Sequence, residues 1–398
     1  MNIIIFEDKK YKLLYPFTIN HATFEMRVGV FSNLARIIKI VEDYHNDEIN
    51  IFLQVRDEIK SLVQERFPDM KVNPDYTPQG FYINGRTIAS KVFFEEFVNS
   101  KKSYSIDGNL IAYYNDTRRN LDDSIIDEIL KVTKEYKYHY ITFLWDVFSI
   151  IGEIIQIDFS YFLINNEFIS HPSLIRINED RIHIGKRTII KGGVVLDASK
   201  GPIIIDCDVI INSGSVIEGP VYIGTNSEIS PLSLIRSNTS IGQFCKIGGE
   251  VTCTIFHGFS NKAHHGFIGH SFIGEWVNIG AGTNNSNLKN NYGEVKILFD
   301  EEIINTRLQF MGVLIGDYSR IAIGTNLNTG TYMPLGVNLF NYKINNKKII
   351  SFSWGVDKKV NFEKFMITIN KMKERRNQNV SSIEYDFLKL LYASLNIN

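Results

Sequence analysis

Ile223-Gly224-Thr225-Asn226-Ser227-Glu228-Ile229-Ser230-Pro231-Leu232-Ser233-Leu234-Ile235-Arg236-Ser237-Asn238-Thr239-Ser240-Ile241 returns to isoleucine at every sixth position. The beat continues outward through Ile205, Ile211 and Ile217 on one side and Ile247 on the other, without a slip. Upstream, Ile184, Ile190 and Leu196 keep the same period, with an insertion around Lys200-Gly201-Pro202 before Ile205. Downstream, Ile315, Ile321, Leu327, Met333 and Leu339 resume it. A helical face repeats near 3.6 residues and a strand alternates every second residue, so neither explains a period of six.

A three-sided solenoid does explain it, with one hexapeptide on each flat side and each aliphatic side chain pointing inward. Four positions after the aliphatic residue the corner is tight. Ser215, Ser227, Ser233, Thr239, Cys245, Ser319, Thr325 and Thr331 supply small side chains there, with Val209 and Val221 as larger exceptions. The expected architecture is a left-handed parallel β-helix of hexapeptide repeats, the familiar exception to right-handed crossovers, over residues 171–345. Residues 1–170 carry no hexads. Short apolar runs (Ile3 to Phe6, Ile49 to Leu53, Tyr138 to Leu144) alternate there with helical patterns (Val30 to Tyr44, Asp57 to Arg66), which predicts an α/β domain. In residues 346–398 an amphipathic stretch from Asn361 to Arg376 predicts one C-terminal helix. The capping pattern Ser381-x-x-Glu384 predicts a second, and the pair would brace the open solenoid.

The 398 residues carry a formal net charge of −1, which gives no field favouring nucleic acid or an anionic membrane. No apolar run is long enough to span a bilayer, and the N-terminus lacks a signal-peptide pattern, so a cytoplasmic protein is expected. Cys207, Cys245 and Cys253 are without metal-ligand spacing. Cys245 falls at a small-residue corner, and Cys253 falls where the six-residue count predicts an inward side chain.

Chemistry is expected where the repeat loosens, between Gly248 and Lys296, since a loop leaving a rigid scaffold is a usual place for function. That stretch holds His257, His264, His265 and His270. Direct acyl transfer from a thioester needs a base near neutral pKa, which His264 or His265 supplies. It also needs backbone N–H donors for the oxyanion, which Gly280-Ala281-Gly282 lets approach a ligand. A carboxylate such as Glu250 or Glu275 would orient the base. A metal held by His264, His265 and His270 is disfavoured, because adjacent histidines lie poorly for one tetrahedral ion, and no resident metal is expected. Asn284 to Tyr292 is a polar stretch that fits either a phosphate contact or a solvated loop.

Lys262-Ala263-His264-His265, then Ile268-Gly269 and Val277-Asn278-Ile279-Gly280-Ala281-Gly282-Thr283, resembles a known family. It is the acetyltransferase half of the bifunctional N-acetylglucosamine-1-phosphate uridyltransferase/glucosamine-1-phosphate acetyltransferase. A Bacteroidetes-type variant, described as a sugar nucleotidyltransferase, is the nearer resemblance. It shares the patterns at Gly248 to Glu250, Ser260 to His264, Gly274 to Asn278, Leu288 to Tyr292 and Phe352 to Gly355. Toward the N-terminus, Pro16-Phe17-Thr18, Arg27-Val28-Gly29, Asn84-Gly85-Arg86, and Trp145-Asp146 leading to Asp158-Phe159 also match.

The resemblance implies acetyl transfer from acetyl-CoA, as co-substrate, to an amino sugar or sugar phosphate, in a homotrimer. Counting back from Val277-Asn278-Ile279-Gly280 puts the base on His264; counting forward from Lys262-Ala263 puts it on His265. Asn278 would contact the acceptor, and Ala281 would lie on the acyl-CoA side with Gly280 and Gly282. The family's acceptor-phosphate Arg and Lys align with Ser230 and Gly248; an alternative register puts Arg236 on the Arg, and Lys262 or Lys289 would replace the Lys. The N-terminal domain would be nucleotidyltransferase-like but degenerate. Where a glycine-rich phosphate loop belongs, the chain reads Phe6-Glu7-Asp8-Lys9-Lys10-Tyr11-Lys12, and His21-Ala22 replaces the variant's Arg-Pro. Arg27, Lys9, Lys12 and Arg86 are its candidate phosphate contacts. Mg2+, on Asp107 or Asp158, is implied only if that domain is active. A non-catalytic β-helix scaffold is the third reading.

Overall fold

The computed structural model describes residues 1–44, 49–116, 123–162, 168–299, 302–340, 349–355 and 358–395. The chain divides into two compact units. One comprises Met1–Leu14, Asn20–Met26 and Phe31–Phe143, and the other Tyr15–Ile19, Arg27–Val30 and Leu144–Asn398. Residues 144–162, expected in the N-terminal domain, thus group with the hexad region. The expected boundary at 345 lies outside the described residues.

In the first unit the apolar run near the N-terminus forms β1 (Asn2–Phe6), buried from Ile3 onward. β1 pairs in parallel with β2 (Asn50–Gln54) on one side and with β4 (Gly80–Asn84) on the other. β3 (Lys71–Val72) extends the sheet beyond β2, and β5 (Tyr104–Ile106), β6 (Asn109–Asn115) and β7 (Lys134–Glu135) complete it in the order β3-β2-β1-β4-β6-β5-β7. α1 (Asn33–Tyr44) joins β1 to β2, α2 (Lys60–Arg66) precedes β3, α3 (Lys91–Ser100) follows β4 and α4 (Asp123–Leu130) follows β6, while α5 (Ile151–Asp158) belongs to the second unit. The strand expected over Tyr138 to Leu144 does not form. Tyr140 makes one isolated bridge to Thr87, and Leu144–Ser149 is a 3-10 turn.

In the second unit the hexads stack as parallel strands on three faces. The first face runs from Ile169–Ser170 through Glu228–Ile229 and Lys246–Ile247 to Asn338–Leu339. The eight isoleucines from Ile205 to Ile247 are fully buried, and the core continues through Ile315, Ile321, Leu327, Met333 and Leu339. Each buried isoleucine contributes about 2 kcal/mol of apolar burial, so the ladder is a substantial part of this core.

After Ile247 the prism persists with shortened corners. Val251, Phe256, Lys262, Ile268, Ile273, Ile279 and Asn285 succeed one another as buried ladder positions, with some spacings cut to four or five residues. Two expectations change here. Cys253 is not inward: it sits in a corner at φ 45°, its Sγ bonding the Phe148 carbonyl at 3.3 Å, and Val251 takes the core position. The excursion from the prism starts later than expected, after Asn285, and carries an antiparallel hairpin, Lys296–Phe299 with Glu302–Asn305.

One corner holds an aromatic spine. Phe244, Phe259, Trp276 and Tyr318 stand there on successive coils with φ between 54° and 61°. A left-handed residue other than glycine costs roughly 1–2 kcal/mol. Face-to-face contacts offset it: Phe244 lies 5.2 Å from Phe259, and Phe259 lies 4.5 Å from Trp276. α6 (Phe362–Glu374) packs here through Phe365, and its start is capped by Asn361. α7 (Ser382–Ser394) is capped by Ser381, which accepts from the Glu384 N–H at 3.0 Å. The Glu384 side chain turns instead to the Tyr318 hydroxyl and the Lys373 ammonium.

Candidate functional site

Lys262 stands in the ladder where the hexad pattern asks for isoleucine. Its Cα pairs with that of Ile247 on the first face, and the side chain is fully buried. Its Nζ donates to the carbonyls of His264 (2.5 Å) and His265 (2.9 Å). Burial lowers its pKa to about 8, because a charged ammonium loses hydration that two carbonyls only partly replace. The lysine therefore ties the histidine corner from inside the prism, while both histidines are exposed.

Neighbouring coils fix the same corner. The Ser230 hydroxyl donates to the Ala263 carbonyl at 2.8 Å, and the Gly282 N–H donates to the His265 carbonyl at 3.0 Å. The His265 ring lies over Gly282, with Nε2 3.5 Å from where a Cβ would stand. Gly282 has φ 72°, which favours glycine. Gly280 is glycine for packing: a Cβ would come within 2.5 Å of the Ile323 backbone nitrogen. The N–H of Gly280 is bonded to the Ile321 carbonyl at 2.9 Å. Among the described residues the Ala281 N–H makes no backbone hydrogen bond, so it is the donor in this run open to a ligand.

Neither expected carboxylate bonds these histidines. Glu250 is paired with Arg236 at 3.2 Å, and Arg236 also approaches Glu218 at 3.9 Å. Glu275 pairs with His257 Nδ1 at 3.1 Å, and that buried imidazole lies 4.8 Å from the Phe17 ring. His270 lies at another corner, with Nδ1 2.9 Å from the Asn287 amide nitrogen and its ring 5.3 Å from Phe310. Burial holds its pKa near 4, so it is neutral at physiological pH. Asn278 is exposed on the first face, one coil from Asn261. Lys289 Nζ bonds the Glu294 carbonyl of its own loop at 3.2 Å.

In the first unit the sheet order reverses between β1 and β4, and the crevice beyond such strand ends is where α/β sheets bind ligands. Asp8, just past β1, gathers Arg86 Nη2 (2.5 Å), the Asn84 amide (2.8 Å) and the Tyr140 hydroxyl (3.3 Å). Glu7 accepts from Arg56 (2.6 Å) and the Thr23 N–H (3.0 Å), and burial raises its pKa despite that arginine. Carboxylates thus occupy Arg86, an expected phosphate contact, and Arg56. Arg86 is fully buried over the Tyr140 ring, and Lys12 is exposed. Arg27, in the second unit, lies over the Tyr222 ring and bonds the Val30 carbonyl. Asp107 is exposed in the β5–β6 turn, whereas Asp158 is buried and accepts from the Val30 N–H at 2.9 Å.

Residues 3–166 match the family model for sugar nucleotidyl transferase. The bifunctional protein GlmU of Acidithiobacillus ferrooxidans is 32% identical over 171 residues, 42% of this chain and 36% of that protein. The chain is similar to the bifunctional GlmU proteins. GlmU of Wigglesworthia glossinidia brevipalpis is 33% identical over 43% of this chain and 33% of its own length. A bifunctional sugar-1-phosphate nucleotidylyltransferase/acetyltransferase of Sulfurisphaera tokodaii is 35% identical over 33% of each. The chain thus spans about a third of the length of these relatives. LpxA of Acinetobacter baumannii shares 17% identity over 42% of this chain and 68% of that chain, with a TM-score of 0.15. The β-helix of this chain rests on its own strand pairing. No helix among the described residues is long and apolar enough to cross a membrane.

Proposed function

We propose that the chain is a cytoplasmic acyltransferase that moves acetyl from acetyl-CoA to an amino sugar or its phosphate, acting as a homotrimer. The observation that carries this reading is the corner where Lys262 holds the exposed His264 and His265 one coil from the open Ala281 N–H. His264 takes the acceptor's proton as the amine or hydroxyl attacks the thioester carbonyl. The Ala281 N–H meets the oxyanion, and the protonated imidazole returns its proton to the departing thiolate. Asn278 faces the acceptor, and Arg236, paired with Glu250, meets the acceptor's phosphate. The alternative base, His265, is favoured by its position over Gly282. His264→Ala should lower turnover of acetyl-CoA by about 10²-fold or more. Unchanged turnover, with loss in His265→Ala, would move the base to His265; unchanged turnover in both would remove acyl transfer at this corner.

A second reading, nucleotidyl transfer to a sugar 1-phosphate with Mg2+, is favoured by the family match over residues 3–166. Arg86, Lys12 and Arg27 would be its phosphate contacts. The Asp8–Arg86 and Glu7–Arg56 pairs weigh against it. Magnesium-dependent pyrophosphate release from a nucleoside triphosphate and a sugar 1-phosphate would establish it.

A further inference from the structure

The outer row of the first face passes from Asn261 to Asn278, Arg320, Asn338 and Trp354 on successive strands. Two of its members have hydrogen-bond partners. Asn261 Oδ1 accepts from Arg376 Nη2 at 3.0 Å, and the Asn338 amide reaches the Gly336 carbonyl at 3.4 Å. Arg320 is half-buried and its side chain has none. Its guanidinium forms no hydrogen bond or ion pair among the described residues, and its Nε is buried without a partner. Elsewhere Arg56, Arg86, Arg187 and Arg236 all meet carboxylates.

A half-buried guanidinium gives up hydration at five donors, and leaving buried donors unmade costs stability. Burial correspondingly lowers the Arg320 pKa. The planar fork is suited to oxygens of a phosphate or carboxylate, which it grips two at a time. Three features favour phosphate. Asn278, directly adjacent and exposed, offers a neutral amide donor. Arg376, held on Asn261 one coil further, adds a second positive charge. The nearest carboxylate of that row, Glu228, is already paired with Lys246 at 3.2 Å.

We propose that Arg320, with Asn278 beside it, is a phosphoryl-binding subsite on the outer first face of the prism. Its ligand is a phosphate ester, and both a coenzyme diphosphate and a sugar phosphate carry that chemistry. The site stands whether or not the histidine corner transfers acyl groups, because anion binding is read directly.

Calorimetry and thermal melting with inorganic pyrophosphate, on the full chain and on Arg320→Met, test it. The expected result is weaker binding by about tenfold or more in the variant, the loss of one charged hydrogen-bonding group. The pyrophosphate-induced rise in melting temperature should shrink with it. Without ligand, Arg320→Met should melt no lower than the parent, since it removes an unpaired charge. Arg320→Lys, which keeps the charge without the fork, should bind at an intermediate level and serves if the methionine variant does not fold. Equal pyrophosphate binding by the parent and the variants overturns the proposal, as does no binding by the parent. Acetyl-CoA against acetyl-pantetheine, and a phosphorylated against an unphosphorylated amino sugar, then identify the source. Sensitivity to Arg320 confined to the phosphorylated member of one pair supports the site; sensitivity in neither pair counts against it.

Discussion

Lys262 is a buried cation in an apolar ladder, and its charge has a measurable consequence. Its pKa in the folded chain is about 8, against an ordinary value of 10.5. Between those values the unfolded chain binds more protons than the folded one, so stability rises with pH. The full effect is about 3 kcal/mol, absent below about pH 8 and gained as pH approaches 10.5. Lys262→Met, which suits the ladder, should abolish this increment in melts at successive pH values, and acetyl transfer should fall because the histidine carbonyls lose their tie. Loss of transfer with an unchanged pH profile would show that the lysine does not carry the titration. Gly280→Ala should act differently, lowering the melting temperature through a clash with the Ile323 backbone. By resemblance, Lys262 or Lys289 replaces the family's acceptor-phosphate lysine; the structure places Lys262 inside the prism. Its inward place was hidden because the shortened corners between Ile247 and Lys262 break the count of six.

At the scale of elements, the hexads were legible because one side chain per face must enter a narrow prism and nothing else has that period. The helices were legible too: Asn361 and Ser381 cap α6 and α7. What the sequence did not disclose was the aromatic spine at the corner, since Phe244, Phe259, Trp276 and Tyr318 lie in a backbone conformation that composition does not signal. Glu384 is the pin between this spine and the C-terminal helices. It accepts from Tyr318 and pairs with Lys373, and both charged side chains are largely buried. Removing one partner of such a pair leaves the other uncompensated, at about 3–5 kcal/mol. Glu384→Ala should therefore lower the melting temperature. Amide exchange should also speed up across α6 and α7 while the Ile205 to Ile247 ladder stays protected; uniform exchange across the unit would mean that the helices and the prism unfold together.

For the molecule as a whole, the α/β and β-helix architecture followed from pattern alone, whereas the chemistry depends on which polar groups are already occupied. Sequence could list Arg86 and Arg27 as phosphate contacts, but it could not show that Asp8 holds one and that the other lies over Tyr222. Nor did it single out Arg320, whose interest lies in having no partner. If the Asp8–Arg86 pair closes the first unit's crevice, pyrophosphate release should be undetectable across nucleoside triphosphates with Mg2+; robust release would show that the carboxylates yield to substrate. The central claim is that acyl transfer takes place at the Lys262-held corner. The most direct measurement is a crystal structure with acetyl-CoA bound. The account predicts the thioester carbonyl within hydrogen-bonding distance of the Ala281 N–H, with the His264 or His265 imidazole beside the acceptor position. A coenzyme whose thioester lies on another corner of the prism would contradict it.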